Sequence, residues 1–123
     1  MMGFDVQVGV DTESVHRWRK ELEGLAAGPR RGLFTEREHA YCASFADPAP
    51  HYAARWCAKE AVLKALSSRC VLDPREIEIE RDAQGAPVVR IPPDRVPGPQ
   101  PTIRLSVSHS QETAVAFAVA IFP

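Results

Sequence analysis

With 123 residues, 45% hydrophobic and 25% charged, the chain has the size and composition of one globular domain, so residues 1–123 are treated as a single domain. A net charge of −1 excludes a global attraction to nucleic acid, and no apolar run approaches the roughly 18 residues of a transmembrane helix. The start has no signal-peptide pattern, and the cysteines lack metal-binding spacing. We therefore expect a cytoplasmic protein with reduced thiols that binds neither nucleic acid nor membrane.

The first predicted element is a strand over residues 4–11, FDVQVGVD, in which apolar and polar residues alternate strictly. That alternation is the period of a strand with one buried face. The polar side ends in Asp11, and Glu13 follows two residues later, so both carboxylates can point the same way, as a hard cation requires. The plainer interpretation is that Asp11 ends the strand and Glu13 begins a helix. The apolar side consists of Phe4, Val6, Val8 and Val10.

Two helices are predicted next. Residues 14–28 suit a helix with Ser14 as a possible cap, ending near a Gly-Pro pair. Thr35 and Glu38 have the spacing of a capping box, which predicts the start of a second helix.

A third predicted helix, from about residue 51 to residue 66, is apolar on nearly every side. Its small alanines gather on one side, which allows a close approach to a sheet. Arg55 and Lys59 flank a bulky apolar stripe on one side, and Glu60 and Lys64 flank it on the other. The plain account of the second pair is a surface i,i+4 ion pair contributing ~0.2–0.5 kcal/mol. The alternative is that partly buried charges serve a bound anion or metal.

The C-terminal half predicts two hairpins joined by a loop. Residues 76–91 alternate about a Gln-Gly turn, and the prolines of residues 92–101 exclude a helix there. The last hairpin has Ser108 and His109 at its turn, where a histidine can meet an anion, and its second strand is apolar on both faces, which predicts cover on both. The element order predicts an α+β domain, with an antiparallel sheet packed against a long helix.

These motifs, in this order, resemble those of the phosphopantetheinyl transferases, in particular the small holo-acyl-carrier-protein synthase type. VGVDTESVHRW resembles the first motif, FTEREH the Leu-Thr-x-x-Glu element, and RWCAKEAVLKAL the signature Arg-aromatic-x-x-Lys-Glu-Ala-x-x-Lys-Ala. EIEIERDAQGAPVV and LSVSHSQETAVAFAVA are similar to the strand–Gly turn–strand and to the terminal Ser-x-Ser-His hairpin. The resemblance implies that family's fold, as a single lobe assembling into a homotrimer with active sites between subunits.

The resemblance also implies a reaction, the Mg²⁺-dependent transfer of 4′-phosphopantetheine from coenzyme A to a serine of an acidic acyl carrier protein, releasing adenosine 3′,5′-bisphosphate. The implied catalytic residues are Asp11, Glu60 and Lys64. The implied metal ligands are Asp11, Glu60 and Glu13. The implied coenzyme A contacts are Arg55, Lys59, Lys64, Ser108 and His109. The group that accepts the serine proton stays open, with Glu60 as the first choice.

Some features depart from the small type. Glu13 after Asp11 looks like the larger two-lobed enzymes of secondary metabolism, residues 66–70 lack the usual glycine, and the proline loop replaces a helix. They favour a dedicated polyketide or peptide synthase carrier protein over the housekeeping one. The alternative function is a catalytically degenerate homologue that binds coenzyme A or a carrier protein as a structural partner. The first helix offers either a carrier-docking surface or a plain solvated face, with basic residues Arg17, Arg19 and Lys20.

Overall fold

A computed structural model of the chain describes residues 3–25 and 31–123. The order of its helices and strands is β1 (Asp5–Ser14), α1 (Val15–Leu25), α2 (Glu36–Ala43), α3 (Ala49–Leu66), β2 (Glu78–Arg81), β3 (Pro87–Arg90), β4 (Thr102–His109) and β5 (Thr113–Phe122). This order confirms the α+β class. The predicted end of the first helix near residue 28 lies outside the described residues.

The main sheet is antiparallel and has the strand order β1-β5-β4, with β5 in the centre. The register aligns Asp11 with Ala116 across the β1–β5 ladder, and His109 with Ala114 across the β4–β5 ladder. Because neighbouring strands lie about 4.8 Å apart, β1 and β4 are separated by roughly 10 Å at these positions. Strands β2 and β3 form a separate two-stranded hairpin.

Helix α3 packs on one face of this sheet through small residues. The alanines that β5 presents to it are fully or almost fully buried, as are Ala58, Ala61 and Ala65 of the helix itself. Gly9 of β1 also faces α3, and a Cβ atom there would lie 2.0 Å from the Ala61 carbonyl oxygen. The close approach predicted from the alanine side of the helix is therefore confirmed, and it requires a glycine on the strand.

The strand prediction for β1 had the right period but the buried face was wrong. Polar residues of β1 face α3, whereas Val6, Val8 and Val10 are 55%, 57% and 52% exposed. On β5, Val115 and Phe117 are also exposed on this side, so the expected cover on both faces is not found within the described residues. The reason is that a single helical layer covers only one face. We call these five residues the outer sheet face.

The short sequence motifs at helix starts and at the hairpin turn predicted the local structure correctly. Thr35 and Glu38 form the predicted capping box at the start of α2. The Ser14 hydroxyl accepts a hydrogen bond from the Arg17 N–H at 3.1 Å, which caps α1. Gly85, in the turn of the β2–β3 hairpin, has φ +86°, a conformation that glycine adopts without strain.

The cysteines Cys42, Cys57 and Cys70 are free, as expected for reduced thiols. Burial raises the pKa of Cys42 and of Cys57 to about 12, so both remain protonated and unreactive. The Cys57 thiol donates to the Asp11 backbone carbonyl at 3.1 Å, which ties α3 to β1. A search of the described helices for a span long and apolar enough to cross a membrane finds none.

Candidate active site

Asp11, Glu60 and Lys64 lie together on the β1 side of α3, and we call them the carboxylate–lysine cluster. The Lys64 ammonium donates to the Val10 carbonyl at 2.8 Å and to Asp11 Oδ1 at 3.3 Å. The other carboxylate oxygen of Asp11, Oδ2, is buried and forms no hydrogen bond with any of the described residues. A buried carboxylate oxygen without a partner is costly, so it marks a place where a ligand can bind.

Glu60 is placed to interact with the same ligand. Burial raises the pKa of Glu60, the negative charge of Asp11 raises it further, and Lys64 opposes the shift. The ion pair that forms on this flank joins Lys64 to Asp11 across to the strand. Lys64 therefore pairs with Asp11 of the strand instead of forming the intrahelical surface pair with Glu60.

Glu13 lies on the same face of β1 as Asp11, as the two-residue spacing predicted. Its Oε1 accepts a hydrogen bond from the Trp18 indole N–H at 2.9 Å. Burial raises the pKa of Glu13, and the nearby charge of Asp11 adds to the increase while the Trp18 bond opposes it. One oxygen of Glu13 thus has a structural partner.

The carboxylate–lysine cluster supplies some, but not all, of the oxygen ligands that Mg²⁺ needs. Mg²⁺ prefers oxygen ligands and is commonly held by one or two carboxylates, with water and substrate phosphates completing the octahedron. Asp11 and Glu60 supply two such carboxylates, and the unpartnered Oδ2 of Asp11 is of the right chemistry. Over residues 3–25 and 31–123, no three potential ligand side chains converge tightly enough to hold a metal by themselves.

A second group of predicted residues lies on the opposite flank of α3. Arg55 and His109 line a cavity of about 210 Å³, which we call the histidine pocket. The rings of His51 and His109 meet edge to face with centroids 5.5 Å apart. Burial and the neighbouring His109 both lower the pKa of His51. Further lining residues come from α2 and from the β2–β3 hairpin, namely Tyr41, Ile79, Arg81 and Pro87.

Two predicted coenzyme A contacts do not reach this pocket. Lys59 is completely buried, and its ammonium bonds to Glu38 Oε1 at 2.5 Å. The spacing from Arg55 placed Lys59 on the correct flank but could not show that α2 covers it. Ser108 pairs with Val115 and is exposed on the outer sheet face, whereas its neighbour His109 points the other way.

The predicted residues therefore form two half-sites rather than one. Asp11 lies on β1 and His109 on β4, with β5 between them. Glu60 and Arg55 are five residues apart on α3, which is about 140° around the helix. Within the part of the chain described, neither half-site contains a residue of the other.

The sequence reading missed three side chains of the histidine pocket. His51 lies four residues before Arg55, so helical spacing could have placed both on one face. Tyr41 and Arg81 come from α2 and β2, and the Arg81 guanidinium donates to the Tyr41 hydroxyl at 2.6 Å. No local pattern brings those two elements together, because their contact depends on the tertiary packing.

Comparison with known proteins gives one consistent family. A family model described as the 4′-phosphopantetheinyl transferase superfamily matches residues 7–120. A holo-[acyl-carrier-protein] synthase from Thermodesulfovibrio yellowstonii is 41% identical over 112 residues, covering 91% of this chain and 95% of that protein. Another from Nocardia farcinica is 37% identical, covering 91% and 84%.

Solved structures agree in fold. A holo-(acyl-carrier-protein) synthase from Bacillus anthracis in complex with CoA (3′,5′-ADP) superposes with a TM-score of 0.80, at 26% identity, covering 98% of this chain and 100% of the other. The acyl carrier protein synthase of Mycobacterium tuberculosis superposes with a TM-score of 0.71 at 32% identity, covering 98% and 100%. The similarity spans both half-sites.

Proposed function

This chain belongs to the 4′-phosphopantetheinyl transferase superfamily, as an enzyme of its holo-acyl-carrier-protein synthase type, and we propose that Mg²⁺ supports its reaction at a site shared between copies of the chain. The substrates are coenzyme A and an acyl carrier protein. The observation that carries the proposal is the carboxylate–lysine cluster. There a buried Asp11 oxygen that hydrogen-bonds to none of the described residues lies beside the Lys64 ammonium.

The proposed reaction forms one bond and breaks one bond at phosphorus. The hydroxyl oxygen of the carrier serine attacks the phosphorus that bears the pantetheine, and the bond to the bridging pyrophosphate oxygen breaks. Adenosine 3′,5′-bisphosphate leaves with that oxygen. Lys64 neutralises charge on the leaving group, and Glu60, whose pKa is raised by burial, accepts the serine proton.

Asp11 and Glu60 would hold Mg²⁺ against the pyrophosphate, where the ion neutralises negative charge on the phosphate oxygens. We propose that Glu13 moves in as a third ligand when the metal binds, through the oxygen that does not bond Trp18. If it binds the metal, Glu13→Gln should raise the Mg²⁺ concentration for half-maximal activity several-fold. An unchanged Mg²⁺ dependence would leave Glu13 only as the acceptor for the Trp18 indole.

The histidine pocket is the proposed site for the adenosine 3′-phosphate end of coenzyme A. Arg55 and His109 supply cationic or donor groups, and Pro87 supplies an apolar wall. The Bacillus anthracis relative, described in complex with CoA (3′,5′-ADP), supports this use of the fold. The Ser108 side chain lies on the same side of the sheet as the outer sheet face, away from the histidine pocket. Its proposed contact would therefore be with coenzyme A held by a neighbouring copy.

An assembly follows from the separation of the half-sites. If coenzyme A spans a carboxylate–lysine cluster and a histidine pocket, a neighbouring copy has to supply one of them. The exposed outer sheet face offers the apolar surface that such an interface needs. We propose the homotrimer implied by the family resemblance, with three equivalent shared sites.

We propose that the carrier protein docks on α1. Arg19 of this helix pairs with Asp47 at 2.7 Å, and Arg17 lies 3.9 Å from Glu21, while Lys20 is exposed. An acidic carrier would be attracted to such a surface. The proline loop departs from the small type, which favours a dedicated polyketide or peptide synthase carrier. We also propose a cytoplasmic location, which the free thiols fit.

Mass spectrometry of a panel of apo carrier proteins tests the function. With coenzyme A and Mg²⁺, we expect at least one carrier to gain the mass of one phosphopantetheine group, and Glu60→Ala to abolish the gain. Comparison of carriers from fatty acid, polyketide and peptide synthases identifies the preferred partner. Absence of any mass gain across the panel would contradict the proposed transfer.

A further inference from the structure

The β2–β3 hairpin forms one wall of the histidine pocket, although it does not belong to the three-stranded sheet. A two-stranded hairpin is only marginally stable by itself, so its position depends on its neighbours. Polar side chains join it to α2 and the cap of α2. The Thr35 hydroxyl donates to Glu78 Oε2 at 2.6 Å, and Arg37 donates to Glu80 Oε1 at 2.6 Å.

Ile79 lies at the centre of this contact, and both of its backbone groups bond to buried charged side chains. Its N–H donates to Glu38 Oε2 at 2.9 Å, and its carbonyl accepts from the Arg55 guanidinium. The other oxygen of Glu38 accepts from the Lys59 ammonium at 2.5 Å and from the Thr35 N–H at 2.9 Å. One carboxylate thus connects α2, α3 and β2.

The Glu38–Lys59 pair is enclosed, since the two residues are 1% and 0% exposed. Burial lowers the pKa of Lys59, and the Glu38 carboxylate opposes that shift. A buried ion pair loses the solvation of both charges, and apolar replacements of similar size are often as stable. Folding stability therefore does not explain well why a buried ion pair is present here. The need for a fixed acceptor for the Ile79 N–H explains it better, because apolar residues cannot supply one.

We infer that Glu38 is a positioning residue for the coenzyme A half-site and that Lys59 serves as its buried counter-charge, an inference that rests on the proposed function. Neither side chain lines the pocket, but Ile79 and Arg55, which both do, are held by this network. Arg55 is fixed between the Ile79 carbonyl and the Tyr41 ring, whose centroid is 4.5 Å from its guanidinium carbon. The Glu38 carboxylate, through Ile79, therefore sets the distance between the cationic side of the pocket and its hairpin wall.

Two charge-free double variants separate positioning from stability. Glu38→Gln/Lys59→Met keeps an oxygen that can accept from the Ile79 N–H, whereas Glu38→Met/Lys59→Met removes it, and neither leaves an unpaired charge. The probe is adenosine 3′,5′-bisphosphate, with its Kd measured by calorimetry alongside the thermal midpoint. Steady-state kinetics give KM for coenzyme A and kcat.

We expect the Gln/Met variant to bind the probe within about twofold of the wild type. The Met/Met variant should lose about tenfold in Kd and in KM for coenzyme A, with kcat and Mg²⁺ dependence unchanged, because one hydrogen bond that fixes the pocket is lost. Equal Kd values for the two folded variants would overturn the inference. A fall in kcat at unchanged KM would do the same.

Hydrogen exchange of the wild-type protein provides a test that does not depend on the folding of any variant. The Ile79 amide should exchange as slowly as the amides of β5 before any ligand is added, because it is already held by Glu38. Exchange as fast as that of the Gly85 turn amide would overturn the inference. Neither exchange nor probe binding requires a carrier protein or turnover, so a failed transfer assay would count against the proposed function alone.

Discussion

Single residues determine how the carboxylate–lysine cluster is built. Gly9 lets β1 lie against α3, and the Cys57 thiol donates to the Asp11 backbone carbonyl at 3.1 Å. Lys64 then reaches from the helix to the Val10 carbonyl and to the Asp11 carboxylate. The backbone of Asp11 is thus held in place while one of its side-chain oxygens is left for a ligand.

Gly9→Ala should be strongly destabilising, although it adds only one methyl group. The new Cβ would lie 2.0 Å from the Ala61 carbonyl oxygen and 2.8 Å from the Ala65 nitrogen, and backbone atoms cannot rotate away. We expect a loss of about 3 kcal/mol in the free energy of unfolding, measured with urea. Gly3→Ala, where nothing lies within 4 Å, is the matched control, and equal unfolding midpoints would contradict the packing described.

The raised pKa values of Glu13 and Glu60 predict a pH dependence of stability in the metal-free protein. A carboxyl group whose pKa is raised by folding binds its proton more tightly in the native state. Its stabilising contribution is present below the ordinary carboxyl pKa and is lost as the pH rises through the raised value. The lowered carboxyl pKa values of Asp5, Asp47 and Glu80 act in the opposite direction, so the comparison is made between variants. The thermal midpoint of the wild type relative to that of Glu60→Gln should fall across that window. Identical slopes in the two proteins would argue against a raised pKa at Glu60.

At the scale of elements, helix α3 carries two different sets of charged side chains on different flanks. Its small side packs on the sheet, Glu60 and Lys64 face β1, and Arg55 faces the β2–β3 hairpin. The charges that made the helix sequence unusual therefore divide among the flank of the carboxylate–lysine cluster, the flank of the histidine pocket and the buried Lys59. Arg55 and Lys59 are buried and have partners, whereas Lys64 pairs with Asp11 while its side chain stays 52% exposed.

The sequence predicted the repeat of apolar and polar residues in β1 and α3. It did not predict which face of each element is covered by other residues. Alternation in residues 4–11 identified β1 and put Asp11 and Glu13 on one side. It could not show that α3 covers that polar side, because alternation is the same whichever face is buried. Helical spacing likewise put Lys59 on the flank of Arg55 without revealing that Glu38 would enclose it.

The outer sheet face should behave as an interface. Val8→Glu places a charge in the middle of that face, so we expect dissociated subunits and loss of transfer with the secondary structure retained. Light scattering gives the mass, and circular dichroism gives the fold. Val71→Glu is the control, because Val71 is 82% exposed and lies outside the main sheet. An unchanged mass for Val8→Glu would show that another surface forms the assembly.

At the scale of the whole molecule, the proposed sharing of the site between copies would let one small domain suffice. Its two half-sites lie on opposite flanks of α3, so a single copy presents each without joining them. The motif resemblance predicted residues of both half-sites, and the sharing between subunits stays a prediction. The side chains that complete the pocket, Tyr41 and Arg81, depended on packing between elements distant in sequence.

Complementation between two inactive variants tests this division most directly. Glu60→Gln removes the first half-site, and Arg55→Gln/His109→Ala removes the second while leaving a donor for the Ile79 carbonyl. Co-expressed with different tags and purified through both, the mixed trimers should regain about a third of the wild-type activity per site, because each mixed trimer has one of its three shared sites built from two intact halves. Mixed assemblies without recovered activity would contradict a site shared between copies.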